Sequence, residues 1–262
     1  MSLGLSVAAG WALMGVVFLA AWDFARRCDN YSLVDAAWAF GIGVTSWFWL
    51  IPGPWHPKKS VALVMVTLWS LRLGWHLQKR IRQHHPQEDA RYIKLRDVWK
   101  GREASAFFWF FQAQAVSVVL LAMPFLLIAR DPDRDWGVWE SVGLAISLVG
   151  IAGEGLADAQ MSAFKKMNRD SEAVCRSGLW YYSRHPNYFF EAVIWSGFYV
   201  FACGSEWGWA TIYAPAMIIY LLLRVTGIPP TEAAAVLRKG DAYRNYQKTT
   251  SAFIPWPPRE EI

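Results

Sequence analysis

The residues Ser183-Arg184-His185-Pro186-Asn187-Tyr188-Phe189-Phe190-Glu191 bring hydroxyl, guanidinium, imidazole, carboxamide, phenol and carboxylate groups into nine positions, and an apolar run from Ala192 to Cys203 follows them. Charge is costly in or beside hydrocarbon, so a cluster of this kind marks a functional site by default. Other groups share its character. Arg72 and His76 stand four apart with Arg80 continuing the same helical face, and Glu154 and Asp158 share a second face ahead of Gln160, Lys165 and Lys166. Like charges on one face repel unless cations or donors sit opposite, which Arg72 and His76 would supply. Such a set suits an anionic, phosphate-bearing ligand, with Asp158 accepting from a ribose or an amide; an ion-pair network without a ligand is the alternative.

The elements that hold these residues are apolar helices. With 55% apolar residues, 17 Trp, 15 Phe and only 18% charged residues, the chain is richer in aromatics and poorer in charge than a soluble domain. Windows near the length that crosses a bilayer appear at Leu5–Trp22, Ser32–Ile51, Ser60–Leu77, Ala104–Ile128, Val138–Leu156, Tyr188–Cys203 and Trp207–Leu223. The expected fold is an all-α integral membrane protein of seven transmembrane helices. Segments 23–31, 78–103, 157–187 and 224–262 hold 21 Lys and Arg, whereas loops 52–59 and 129–137 hold four, Lys58, Lys59, Arg130 and Arg134. The positive-inside rule then puts the N-terminus outside and the C-terminus in the cytoplasm. The net charge of +5 belongs to the cytoplasmic face, where it suits anionic headgroups or phosphate and implies no nucleic acid. Cys28, Cys175 and Cys203 have neither disulfide nor zinc spacing, and no metal is expected. The first apolar stretch lacks a basic leader and reads as a retained helix.

Two cytoplasmic pieces are long enough to cap a site. The loop Glu88-Asp89-Ala90-Arg91-Tyr92 with Lys94, Arg96 and Trp99 is either a solvated amphipathic helix on the membrane surface or a lid. The tail leaves Arg224 through Gly227-Ile228-Pro229-Pro230, with Thr231 as a plausible N-cap for a short helix ending at Lys239-Gly240. Glu232, Tyr243 and Tyr246 follow, and the tail closes with Ile254-Pro255-Trp256-Pro257-Pro258.

These motifs together carry a resemblance. The elements Glu154…Ala157-Asp158-x-Gln160, Gly178-Leu179-Trp180-x-Tyr182-Ser183-Arg184-His185-Pro186-Asn187-Tyr188-x-x-Glu191 and Glu232…Tyr243-x-x-Tyr246…Ile254-Pro255 resemble the C-terminal domain of the steroid 5-alpha-reductase superfamily. With the Glu88–Tyr92 loop, they look most like its bacterial branch of unknown function. The resemblance implies a single membrane domain, 1–262, in which 1–137 forms the lipid-substrate side and 138–262 binds NADPH, set in a bacterial inner membrane. Hydride would pass to an activated carbon-carbon double bond of a lipid or steroid-like molecule. The implied cofactor residues are Arg72, His76, Asp158, Lys165, Tyr182, Arg184, His185, Asn187, Tyr188, Glu191, Arg224, Glu232 and Tyr246. Of these, Arg72, Lys165, Arg184 and Arg224 would meet the phosphates, with Asn187 and Glu191 nearer the nicotinamide.

The chain departs from the steroid reductases at one place. They polarise a ketone with a third-helix Tyr and a second-helix Glu; here the Tyr position is Trp69, and helix two has no glutamate. An indole donates a hydrogen bond but supplies no proton as a phenol does. Asp35, Tyr31 and Glu154 are the candidate proton donors, Asp35 first because burial at the start of a membrane helix favours its acid form. A second resemblance is to isoprenylcysteine carboxyl methyltransferases and related phospholipid methyltransferases. They share Arg-His-Pro-x-Tyr followed by a Glu, which implies S-adenosylmethionine as the alternative cofactor. A non-enzymatic lipid-binding protein is the third possibility, and the oligomeric state is left open.

Overall fold

The computed structural model describes residues 2–131, 135–168 and 172–259. Arg134 and Arg169, both counted in the charge asymmetry, lie outside the described residues. The described chain is helical without strands, and it divides into two compact units, Met1–Trp136 with Ser205–Gly208, and Gly137–Gly204 with Trp209–Ile262.

The first unit holds α1 (Leu3–Arg27), α2 (Leu33–Leu50), α3 (Pro57–His84), α4 (Ala90–Val98) and α5 (Glu103–Arg130). Ser2 caps α1 by accepting from the Leu5 N–H at 3.3 Å, and Pro57 opens α3 where a helix needs no N–H. Phe18, Ala39, Ile42, Val66, Trp69, Phe107, Phe111 and Val118 are fully buried between these helices. Buried and half-buried indoles need a partner for their N–H. Trp38 donates to Ser117 Oγ at 3.0 Å, Trp47 to Thr67 Oγ1 at 2.8 Å and Trp49 to the Ser6 carbonyl at 3.1 Å, so each ties two helices. Trp11, Val16, Trp75 and Trp109 face outward, as lipid-facing apolar side chains do. A buried ion pair, Lys58 Nζ to Asp131 Oδ2 at 3.1 Å, joins the start of α3 to the end of α5.

The second unit holds α6 (Val138–Met167), α7 (Leu179–Tyr182), α8 (Pro186–Ala202), α9 (Tyr213–Tyr220) and α10 (Ile228–Thr249). α6 and α8 touch through small residues. A Cβ on Gly143 would stand 2.3 Å from the Phe201 nitrogen and one on Gly197 2.6 Å from the Ser147 nitrogen, so only glycine lets these backbones approach. A 3₁₀ turn (Gly208–Ile212) leads into α9, and a π-helical turn (Leu221–Val225) carries Arg224 towards α10.

Among the described residues, six helical segments are long and apolar enough to cross a membrane: Leu3–Arg27, Leu33–Leu50, Pro57–His84, Glu103–Arg130, Val138–Met167 and Gly208–Thr249. The seventh expected stretch, Tyr188–Cys203, forms α8, whose 17 residues make a shorter rod. At ~1.5 Å per residue that is about 25 Å, less than a ~30 Å hydrocarbon core. The tail helix also begins earlier than expected. Gly227 precedes its first turn and Pro229 and Pro230 lie inside it, so Thr231 is not the N-cap. Prolines are tolerated there because first-turn N–H groups have no helical acceptor. The first helix of the tail ends at Gly240 as expected, where φ of 54° and ψ of −131° are not helical, and a second helix follows directly from it to Thr249.

Candidate functional site

In the second unit the segment ahead of α8 is extended and lies beside the tail. Ser183 and Ser251 form an isolated parallel bridge, the Arg184 N–H donates to the Ser251 carbonyl at 2.8 Å, and the Ser183 hydroxyl donates to the Phe253 carbonyl at 2.8 Å. The Trp256 N–H adds a bond to the Tyr182 carbonyl at 3.0 Å, leaving the Tyr182 ring exposed. Four of the expected cofactor residues meet here. Glu232 Oε1 accepts from Arg184 Nε at 2.7 Å and lies 3.2 Å from His185 Nε2, while Glu232 Oε2 accepts from the Gln247 amide at 2.8 Å. Arg184 Nη1 also donates to the carbonyls of Gln247 at 3.0 Å and Thr250 at 2.5 Å. Tyr246 is buried, and its hydroxyl donates to the carbonyls of Trp180 and Ser183, the latter at 3.2 Å.

Arg184, Glu232 and Tyr246 therefore clamp the tail onto the Ser183–His185 segment. A guanidinium bound to a carboxylate and two carbonyls has most of its donors engaged, so the phosphate role expected of Arg184 competes with this clamp. Gln247 and Thr250 belong to the same network and carry no sequence signal of their own, because Thr250 acts wholly, and Gln247 in part, through its main chain.

α8 begins at Pro186, so Asn187 sits in its first turn. The His185 and Tyr188 rings stack with centroids 5.3 Å apart, and the Tyr188 hydroxyl is 3.2 Å from Thr231 Oγ1. Asn187 Oδ1 is different: it is buried and has no hydrogen-bond partner among the described residues. A buried acceptor left unpaired costs about 1–3 kcal/mol, which a native fold rarely leaves uncompensated. One turn further on, Glu191 is buried and accepts from Trp195 Nε1 at 3.0 Å. The four-residue spacing of Glu191 and Trp195 is the signal that finds this pair.

On α6, Glu154 is buried, Asp158 half-buried and Lys165 exposed, and Arg224 is exposed on the π turn. Gln160 holds the chain ahead of α7 in place. Its Oε1 accepts from the Leu179 N–H at 2.9 Å, and its amide packs where a side chain on Gly178, at φ 60°, would clash.

The first unit contains a second polar cluster. Asp35 accepts from Arg91 Nη2 at 2.6 Å and from the Tyr92 hydroxyl at 2.7 Å. Asp89 caps α4 by accepting from the Arg91 N–H at 3.0 Å and also pairs with Arg80 at 2.6 Å. Glu88 accepts from the Tyr31 N–H at 2.5 Å and from Arg96 Nε at 2.6 Å. The 88–96 loop is thus tied to the start of α2 with Tyr92 buried, rather than lying as a freely solvated surface helix. Burial alone would raise the Asp89 carboxyl, but hydrogen bonds and charge from Arg91, with Arg80, hold it below the usual carboxylate range. Burial pushes the Tyr92 hydroxyl well up, so it remains a donor to Asp35. The Tyr31 ring stacks on Phe107 at 3.7 Å beneath the Arg96 guanidinium, and burial raises its hydroxyl as well. Asp35 is thus an anchored acceptor rather than an isolated acid. On α3, Arg72 is half-buried, His76 exposed, and Trp69 fully buried with its ring edge-on to Trp38.

A curated relative, an uncharacterized protein of Schizosaccharomyces pombe, is 27% identical over 89% of this chain and 75% of its own length. No solved structure matches. Residues 21–250 match the family described as protein of unknown function DUF1295, and the match covers most of the chain; the protein therefore belongs to the DUF1295 family.

Proposed function

We propose that this chain is a membrane-embedded, NADPH-dependent reductase that adds hydrogen across an activated carbon-carbon double bond of a lipid or steroid-like molecule. The observation that carries this reading is Asn187, whose buried Oδ1 has no partner among the described residues although its motif neighbours His185 and Glu191 have theirs in Glu232 and Trp195. A carboxamide with a spare acceptor fits another primary amide, as a nicotinamide offers. Glu191 stands one turn away at the Asn-x-x-x-Glu spacing of the superfamily that the sequence resembles. The bound cofactor would supply the hydride. Asn187 and Glu191 would orient its amide end, and Asp158, Lys165 and Arg224, none of them buried, would meet its ribose and phosphates.

The proton that must accompany the hydride would come from Tyr31, Asp35 or Glu154. Asp35 could donate only after giving up its pairing with Arg91. In this reading α8 is the seventh crossing, the N-terminus is outside and the C-terminus cytoplasmic, and the substrate reaches the site from the bilayer.

The test is a melting experiment on the purified chain. NADPH should raise the melting temperature, and Asn187→Ala should abolish that rise while leaving expression and the ligand-free melting temperature intact. Stabilisation by S-adenosylmethionine and not by NADPH would replace the reductase with a methyl transfer reading. If neither cofactor acts and Asn187→Ala unfolds the chain, the cluster is structural.

A further inference from the structure

The end of α3 carries an open cavity of about 180 Å³ lined by Trp75, Gln78, Lys79, Arg82 and Gln83. The spacing i, i+3, i+4, i+7, i+8 puts all five on one helical face. Nothing in the functional reading above uses them.

Two observations separate these cations from their neighbours. Arg26 and Arg27 pair with Asp23, Arg80 with Asp89, Arg91 with Asp35 and Arg96 with Glu88. Lys79 and Arg82 have no hydrogen bond or ion pair among the described residues, and neither has the Trp75 indole N–H. The second observation is position. α3 has 28 residues, so it is about 42 Å long at ~1.5 Å per residue, against a ~30 Å hydrocarbon core. Its apolar stretch 60–77 fills that core, which leaves Trp75 at the boundary and Lys79 and Arg82 about one to two turns beyond, at headgroup depth. Trp75 is 64% exposed and turned outward.

We propose that this face is a binding site for the headgroup phosphate of an anionic phospholipid. Lys79 and Arg82 pair with the phosphate, Gln78 and Gln83 offer amide donors to the remaining headgroup oxygens, and the Trp75 ring lies against the glycerol and upper acyl region. Each basic residue near an anionic surface strengthens binding about fivefold, so the pair contributes about 25-fold. The proposal is independent of the cofactor reading.

The test uses the full chain in neutral detergent micelles titrated with phosphatidylglycerol or phosphatidylcholine, following the melting temperature. Phosphatidylglycerol should stabilise at lower concentration than phosphatidylcholine. Lys79→Gln with Arg82→Gln should raise the phosphatidylglycerol midpoint about 25-fold, and Arg82→Gln alone about fivefold. A control of equal charge loss, Lys94→Gln with Lys100→Gln, should raise it by clearly less than the double variant does, since neither residue lies on the Trp75 face of α3. An equal loss in the control, no loss in the double variant, or full replacement of the lipid effect by inorganic phosphate would overturn the site. So would a double variant that loses an NADPH effect while keeping the phosphatidylglycerol midpoint, because the cations would then belong to the cofactor. If the double variant does not fold, the single Arg82→Gln titration decides.

Discussion

Two residues of the central motif illustrate opposite demands on a side chain. Tyr246 is buried and its hydroxyl holds the Trp180 and Ser183 carbonyls, so Tyr246→Phe removes a donor from a site that water cannot refill. A loss of about 1–3 kcal/mol is expected, read as a lower midpoint of thermal or denaturant unfolding. Asn187 Oδ1 holds nothing among the described residues. Asn187→Leu, which fills the same space without the amide, should therefore leave stability unchanged or raise it slightly while removing cofactor-dependent stabilisation. A stability loss as large as that of Tyr246→Phe would place Asn187 in the clamp instead.

At the scale of elements, α4 and the α6/α8 pair are held by different forces. α4 depends on charge: Asp89 both caps it and pairs with Arg80 and Arg91. Asp89→Asn keeps a good cap and loses the ion pairs, whereas Asp89→Ala loses both, so the alanine variant should protect the 90–98 amides less by about 1 kcal/mol. Because the Asp89 carboxyl is depressed in the folded chain, its contribution is complete above the ordinary carboxyl value near pH 4 and disappears as pH falls through the lower folded value. Hydrogen-exchange protection factors across 90–98 should drop over that acid range in the parent and stay flat in Asp89→Asn. The α6/α8 pair depends on shape. Gly143→Ala would push a methyl into the Phe201 main chain and should cost about 1–3 kcal/mol or more, whereas Gly155 has open space around its Cβ direction. Gly155→Ala should stabilise the same helix by about 0.5–1 kcal/mol, and the two variants compared by unfolding midpoint separate packing from helix propensity.

For the whole molecule, the number of crossings fixes a parity that one experiment reads. If α8 crosses the membrane, the seven crossings put the two termini on opposite sides; with the six long helices alone they lie on the same side. Reporter fusions at each terminus, one active only outside and one only inside, should give an external N-terminus and a cytoplasmic C-terminus. Matching signals from both ends would return α8 to a partly inserted element.

Much of the architecture was legible because it follows from local composition. Leu5–Trp22, Ser32–Ile51, Ser60–Leu77, Ala104–Ile128 and Val138–Leu156 are long apolar runs whose backbone must satisfy itself in lipid, so each forms one helix of the structure, with Ser32 and Ile51 as the caps of α2. The start of the tail helix was not legible, because Pro229 and Pro230 read as a stop although prolines are equally compatible with a first turn. Side-chain types placed the Ser183–Glu191 cluster, but not its partners. That Arg184 takes Glu232 and main-chain carbonyls of the tail, that Asp35 is claimed by Arg91 and Tyr92, and that Asn187 keeps a spare acceptor are outcomes of competition among many equally plausible donors and acceptors. The sequence by itself determined an all-helical membrane protein with its polar chemistry gathered at helix ends, since hydrophobic burial and backbone satisfaction act on each segment separately. Only the tertiary structure decided which charges neutralise one another and which polar atom is left over, since that depends on distances between segments far apart in the chain.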